Sequence, residues 1–544
     1  MKFLIRVFSL FILLNVSFAQ YSPVLIPFDT IFTKSVVSKN FYLKNPTGKT
    51  VIINNIRTTG TQFYFTTNNL SINPYDSVSV TVYFSTKHNI TYKDFLIFEN
   101  TGLNYPLINY SLATGKYPDT LYKFTQGLID EPLKTALNNF TSQGYVSLGY
   151  DIARNKMFET VDDYGGDTIE CVYTGTKIKA VNRTEAQNQG FDTEHTYPQS
   201  FFNSAEPMRS DIFHLYPTLS SANNARSNYH FGIVVSNITW QQGGSKRGFD
   251  FQNEIVFEPR DLHKGNVARS LLYFVVRYGN LGTYMLAKEE GVLRLWNNAD
   301  TVDTREILRN QRIKSFQNNY NPFIAHPELI ERIKSFSSNS PTIYKGEITA
   351  SPFNVVYDTL AANDTASYYL GIINYGNAVL NVTSLIPDIP QFIVEDYPSS
   401  VPAGEMRYAK IKFKPTAVNQ TYNGTLTINN SDSTITVNLK GFSNSNVGIN
   451  ITGTGIPSKY FLYDNYPNPF NPATTIKFDI PETSDISLEL YDIRGSIIET
   501  VFQNTLSPGR YSYSLDMSRH TSGTYFIRLS FAKNTLTKKI TLIK

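Results

Sequence analysis

Two kinds of periodicity divide the chain. Apolar residues alternate with polar ones at Val78, Val80, Val82 and Phe84, and again at Ala409, Ile411 and Phe413, where Lys410, Lys412 and Lys414 hold the polar positions. Successive side chains on a strand point to opposite faces, so both stretches predict strands with one buried face. Each sits in a matching frame. Ile72-Asn-Pro74-Tyr-Asp76 precedes the first and Val401-Pro-Ala-Gly404-Glu405 the second; Thr91-Tyr92 through Leu96, Phe98 and Asn100 follow the first, and Thr421-Tyr422 through Leu426, Ile428 and Asn430 the second. The repeat predicts one β-sandwich module used twice, at residues 20–117 and 343–443.

Between the copies the spacing changes to three and four. Glu131 to Ser142, Val267 to Tyr278, Tyr284 to Asn297 and Val302 to Phe316 predict helices, so residues 118–338 are expected to be mainly helical. Beyond the second copy, residues 444–459 are rich in Asn, Gly and Ser and are expected to be a linker. From 460 to 544, short alternating strands broken at Pro467, Gly495, Pro508-Gly509 and Gly523 predict a last, small sandwich.

The other end carries a targeting pattern. A basic start, Met1 to Arg6, leads into the apolar Val7 to Val16 and the small residues Ser17-Phe18-Ala19, predicting a signal peptide over residues 1–19. The apolar run is well short of the roughly 20 residues that span a bilayer.

Composition narrows the classes. At 544 residues the chain exceeds one core, and 37 Phe and 36 Tyr with only 17% charged residues argue for folded, strand-rich modules. A net charge of +4 supplies no global field for nucleic acid, so any polyanion affinity is local. The single cysteine, Cys171, excludes a disulfide framework and a cysteine zinc site, and the seven histidines contain no His-Glu-x-x-His pair. A zinc hydrolase is therefore disfavoured.

The candidate chemistry lies in the middle segment. Phe191-Asp-Thr-Glu194-His195-Thr-Tyr-Pro198 is followed by Asp211-Ile-Phe-His214-Leu and then Asn223-Asn224-Ala-Arg226. Pro198 disfavours helix just before it, so Glu194 and His195 are expected on a strand or extended loop. Ser220-Ser221 predicts the start of a short helix carrying Asn223 and, three residues on, Arg226. Carboxylate and amide oxygens are hard ligands suited to magnesium, manganese or calcium. A neutral imidazole with a pKa of about 6.5 accepts a proton at neutral pH. Arg226 offers a guanidinium for a phosphate, Arg209 and Arg269 are further candidates for the nucleic-acid backbone, and Asp211 and His214 are candidates to stand behind the ligands.

These motifs, with Ala153-Arg154 to Phe158, Val172-Tyr173-Thr-Gly175, Pro207 to Asp211, Phe257-Glu258-Pro259, Lys264 to Arg269 and Asn321 to Pro327, resemble the endonuclease I family of ββα-metal nucleases. The resemblance implies an α+β nuclease domain at 118–338 in which Glu194 and Asn223 bind a divalent cation, Mg2+ first, with Mn2+ or Ca2+ as alternatives. It also implies His195 as general base and 5′-phosphate products. The chain departs from the family at Phe213, Tyr320 and Ala325, where the family commonly has a polar residue, an arginine and an aspartate.

The flanking modules resemble immunoglobulin-like sandwiches. The opening Asn465-Tyr466-Pro467-Asn468-Pro469-Phe470-Asn471-Pro472 and the ending at Lys544 resemble the C-terminal sorting domain of the type IX secretion system. The whole is expected to be a multidomain protein, secreted or attached to the cell surface through that machinery, cutting DNA, and RNA as a second substrate, without sequence preference. The alternative is a surface adhesion or binding protein with an inactive nuclease-like domain.

Overall fold

In the computed structural model the described residues are 23–444, 449–453, 457–532 and 534–544. The signal peptide expected over residues 1–19 lies outside them. They form a multidomain protein with many β-sheets and few helices.

In the N-terminal module a five-stranded sheet runs in the order Leu25–Phe32, Leu107–Lys116, Thr91–Thr101, Val51–Thr58 and Leu70–Ile72. A second sheet holds Val36–Lys44, Ser77–Ser85 and Phe63–Tyr64. The alternating Val80, Val82 and Phe84 pack against Val51, Ile53, Leu96 and Phe98 of the first sheet in one core. The second module repeats the plan. Leu370, Ile372, Ala409, Ile411 and Phe413 of a four-stranded sheet meet Leu426, Ile428, Val437 and Leu439 of a five-stranded one. The intervening Lys410 and Lys412 turn to the other face and pair with Glu395.

The two modules touch. The Thr91–Thr101 strand is buried on both faces, which accounts for its unbroken apolar run Phe95-Leu96-Ile97-Phe98. Leu96 and Phe98 face their own core, while Phe95 and Ile97, with Ile108, meet Ile373 and Met406 of the second module.

The middle segment combines four helices of more than twelve residues, Asp130–Ser142, Asp261–Tyr278, Ala287–Ala299 and Thr304–Gln317, with seven short strands. The Asp261–Tyr278 helix is buried continuously from Val267 to Arg277 and forms the centre of that segment's core. The segment is anchored to the N-terminal module by Arg332, which reaches the Asn89 side chain, and by the 2.6 Å Lys87–Glu331 ion pair. Within the stretch expected as a linker, Ile449–Gly453 is a strand paired with Gly509–Asp516, so part of it belongs to the last sandwich. Among the described residues no helix is long and apolar enough to cross a membrane.

Candidate functional site

A hairpin and one helix carry the candidate residues. Phe191–His195 pairs antiparallel with Leu215–Leu219, placing Glu194 opposite Tyr216 and His195 opposite Leu215. The chain then enters the Ser220–Arg226 helix directly. The expectation of an extended Glu-His pair and a short Asn-Arg helix is met by this strand, strand, helix unit.

Glu194 is 2% exposed. Its Oε1 accepts the Tyr173 hydroxyl at 2.8 Å and faces Arg226 Nε at 3.1 Å, while no donor among the described residues reaches Oε2. Burial pushes the carboxyl up to about 7, against the pull of Arg226 and Tyr173. An ionised Glu194 therefore gains from a nearby positive charge.

Asn223 comes to the same strand. Its Nδ2 donates to the Thr193 carbonyl at 3.3 Å, one residue from Glu194, which leaves Oδ1 as the uncommitted amide oxygen. One carboxylate and one amide oxygen without protein donors are a donor set that fits a hard divalent cation. Among the described residues no group of three or more His, Cys, Asp or Glu stands ready for a metal, so such a cation would keep most of its coordination open to water or substrate.

The His195 ring is oriented by the backbone. Nε2 lies 3.3 Å from the Arg209 carbonyl, an acceptor, so Nε2 carries the proton and Nδ1 the lone pair. The ring is only 6% exposed, packed by Tyr150 at 5.5 Å and His214 at 5.3 Å between centroids. Burial drives its pKa well below the ordinary value, with the charge of His214 adding to the shift, so the imidazole is neutral at physiological pH.

Three expected residues have other duties. Arg226 is 1% exposed and its guanidinium is occupied by Glu194, the Thr196 carbonyl at 2.6 Å, the Ser227 carbonyl at 2.8 Å and the Tyr284 hydroxyl at 3.2 Å. It is a buried strut for Glu194, not a phosphate grip. Arg269, also 1% exposed, is held by both oxygens of Glu306 at 2.7 and 2.6 Å inside the core, out of reach of nucleic acid. Asp211 is fully buried and accepts Tyr273, Tyr278, Gln317 and the Phe213 amide. That makes it a structural hub.

His214 fits the expected supporting role better. Its Nε2 meets the Met208 carbonyl at 2.7 Å and its ring lies against His195, although burial lowers its pKa to about 4. Arg209 also stays near the site, with its guanidinium 4.0 Å above the Tyr150 ring. Arg154 approaches the same ring at 5.0 Å and donates to Thr193 Oγ1 at 3.0 Å. Sequence reasoning assigned no role to Tyr150, Arg154 or Tyr173. Tyr150 has no spacing signal, but Arg154 and Tyr173 lie inside the motifs that carried the resemblance.

Residues 131–328 match the Endonuclease I family, and residues 464–544 match the secretion system C-terminal sorting domain. The chain is 32% identical over 237 residues to an extracellular ribonuclease of Bacillus amyloliquefaciens, covering 40% of this chain and 78% of that protein. It is 32% identical over 117 residues to an extracellular deoxyribonuclease of Aeromonas hydrophila, covering 22% of this chain and 50% of that one. Over 121 residues it is 30% identical to an Endonuclease-1 of Buchnera aphidicola subsp. Baizongia pistaciae, covering 22% and 47%.

Proposed function

The chain belongs to the endonuclease I family, and on that premise we propose that it is a secreted or surface-attached, divalent-cation-dependent endonuclease that hydrolyses DNA and RNA without sequence preference. The C-terminal sorting domain directs it to secretion or the cell surface.

The observation that carries the reading is the state of His195: Nε2 is committed to a backbone carbonyl, which leaves a neutral ring with its lone pair on Nδ1. Nδ1 takes a proton from the attacking water, a step that typically contributes about 10² to 10⁴ in rate. Glu194 Oε2 and Asn223 Oδ1 would hold the cation, which supplies charge neutralisation at phosphorus and at the departing oxygen. Water attack on phosphorus with departure of the 3′ oxygen leaves a 5′-phosphate. Tyr173 and Arg226 keep the carboxylate turned, and Arg209 and Arg154, both stacked on Tyr150, supply positive charge to the nucleic-acid backbone without reading bases.

Supercoiled plasmid and a structured RNA, each incubated with the full-length protein, test this. Both substrates are expected to be cut with Mg2+ or Mn2+, to be spared with a chelator, and to be spared by His195→Ala at normal folding. Intact plasmid and RNA across all cations would favour a binding protein instead.

A further inference from the structure

Residues 118–338 carry 25 Asp and Glu against 23 Lys and Arg, yet no acidic residue lies between Asp211 and Asp250. That stretch holds the second strand of the site hairpin, the helix of Asn223 and then a β-ribbon of Ser236–Gln242 and Ser245–Phe249. Ser236–Gln242 is the outer strand of its three-stranded sheet. A strand packed on a core alternates buried and exposed positions. Here only Trp240 is half-buried, against Phe257 at 5.8 Å, and every other residue is exposed. Packing accounts for Trp240 alone.

The ribbon is fixed to both arms of the candidate site. Its Gly243-Gly244 turn, with φ of 57° and 95°, lies so close to the neighbouring loop that a Cβ at Gly243 would collide with the Thr174 carbonyl. Ser245 Oγ donates to the Tyr173 carbonyl at 2.7 Å, and Tyr173 in turn holds Glu194. On the other side Arg247 Nη1 donates at 3.3 Å to the carbonyl of Ala225, two residues beyond Asn223. Arg247 Nε donates to Thr239 Oγ1 at 2.9 Å at the surface, and the guanidinium lies 5.7 Å from the Tyr229 ring centre.

Arg247 Nη2 bonds to nothing among the described residues. Nor does Arg247 pair with any carboxylate among them, unlike Arg226, Arg260, Arg269 and Arg309 of the same segment. Glu258, on the adjoining strand, is taken up by Lys246 and Lys264. A guanidinium pinned by a carbonyl and a hydroxyl, with one nitrogen free and no counter-charge, is prepared for an anion from outside.

We propose that Arg247 and the exposed strand beside it form a second phosphate subsite, which holds the substrate backbone next to the scissile phosphate and favours long nucleic acids over short ones. The proposal rests on the nuclease reading of this segment. Asn237, Thr239 and Gln241 offer amides and a hydroxyl to phosphate and sugar oxygens, contacts that position a strand without reading bases. A partner protein adding a strand to this edge is the weaker fit. The register breaks between Ser236 and Trp240, and Asn237 takes a positive φ of 47°, so the edge presents no regular ladder.

Binding of a labelled oligodeoxynucleotide in Mg2+, followed by fluorescence anisotropy on the full-length His195→Ala protein, tests the subsite apart from cleavage. Adding Arg247→Gln is expected to weaken binding about tenfold and to flatten its salt dependence by about one unit of slope, whereas Arg247→Lys should keep the slope. Thr239→Asp, at an exposed position, supplies the carboxylate that Arg247 lacks. A merely structural arginine would then be held more firmly, while one that grips phosphate would be withdrawn from it. Thr239→Asp should therefore match Arg247→Gln in affinity and the parent in thermal stability. With His195 intact, Arg247→Gln should shrink the kcat/KM advantage of the oligonucleotide over a dinucleotide about tenfold. Unchanged affinity in Arg247→Gln or in Thr239→Asp, or an equal loss of kcat/KM on long and short substrates, would overturn the subsite. Absence of cleavage by the parent would instead overturn the nuclease reading, with the binding result still deciding the subsite.

Discussion

The Arg226 guanidinium lies 3.1 Å from the Glu194 carboxylate, and the two side chains are 1% and 2% exposed. Removing one partner of a buried pair strands the other charge in a medium that cannot solvate it, at a cost of about 3–5 kcal/mol. Arg226→Ala is therefore expected to lower unfolding stability by that order and to abolish cleavage. The double variant Glu194→Gln, Arg226→Met removes both charges and should recover most of the stability and none of the activity. Urea unfolding of the two variants decides it. A single variant as stable as the parent would show that Arg226 is free for substrate after all.

Arg209 and Arg269 should part company under the same logic. Arg209 stacks on Tyr150 beside His195 and has only partial burial, so Arg209→Ala should leave folding intact, raise KM for DNA and flatten the salt dependence of binding by about one unit of slope. Arg269→Ala leaves Glu306 alone in the core and should destabilise the protein by about 3 kcal/mol. Binding measured from low to high salt, beside thermal melts of both variants, separates the roles.

What the sequence revealed of this site and what it hid have physical reasons. Period-two and period-three-to-four patterns report which face of an element is buried, so the module strands and the four long helices were legible from their own residues. The placement of Glu194 and His195 on a strand and of Asn223 on a short helix was legible because the hairpin and helix that join them are local in the chain. Burial of a charged residue is not local. Arg226 and Arg269 looked like surface cations, because their partners Glu194 and Glu306 lie 32 and 37 positions away and nothing in the intervening residues announces the pairing. The docking of the two modules was similarly hidden, although the four consecutive apolar residues Phe95 to Phe98 were a sign that the strand has no solvent face.

Tyr173 should tune cation affinity without touching the cation. Its hydroxyl holds Glu194 Oε1 at 2.8 Å, and Tyr173→Phe removes that bond while keeping the ring packed against Phe257. Partners of metal ligands of this kind are typically worth about 10–100-fold in affinity. Mn2+ titration followed by calorimetry is expected to show a loss of that order in Tyr173→Phe, with DNA cleavage restored at raised Mn2+. Unchanged Mn2+ affinity would leave Tyr173 a packing residue only.

Asp94 gives the N-terminal module a pH dependence of its own. Its side chain is buried beside Gly60 with Oδ2 unpartnered, and burial pushes the carboxyl from 3.8 up to about 6. A carboxyl with a raised folded pKa favours the protonated form. Folding is thus penalised above pH 6, and the penalty shrinks as pH falls through 6 and vanishes below the unfolded value of 3.8. Asp94→Asn deletes the charge and keeps the shape, so it should stabilise the protein by about 1–2 kcal/mol at pH 8 and do almost nothing at pH 4. Melting curves of parent and variant across that range should converge on the acid side. An offset that is constant with pH would mean that Asp94 titrates alike in the folded and the unfolded chain, with no raised pKa.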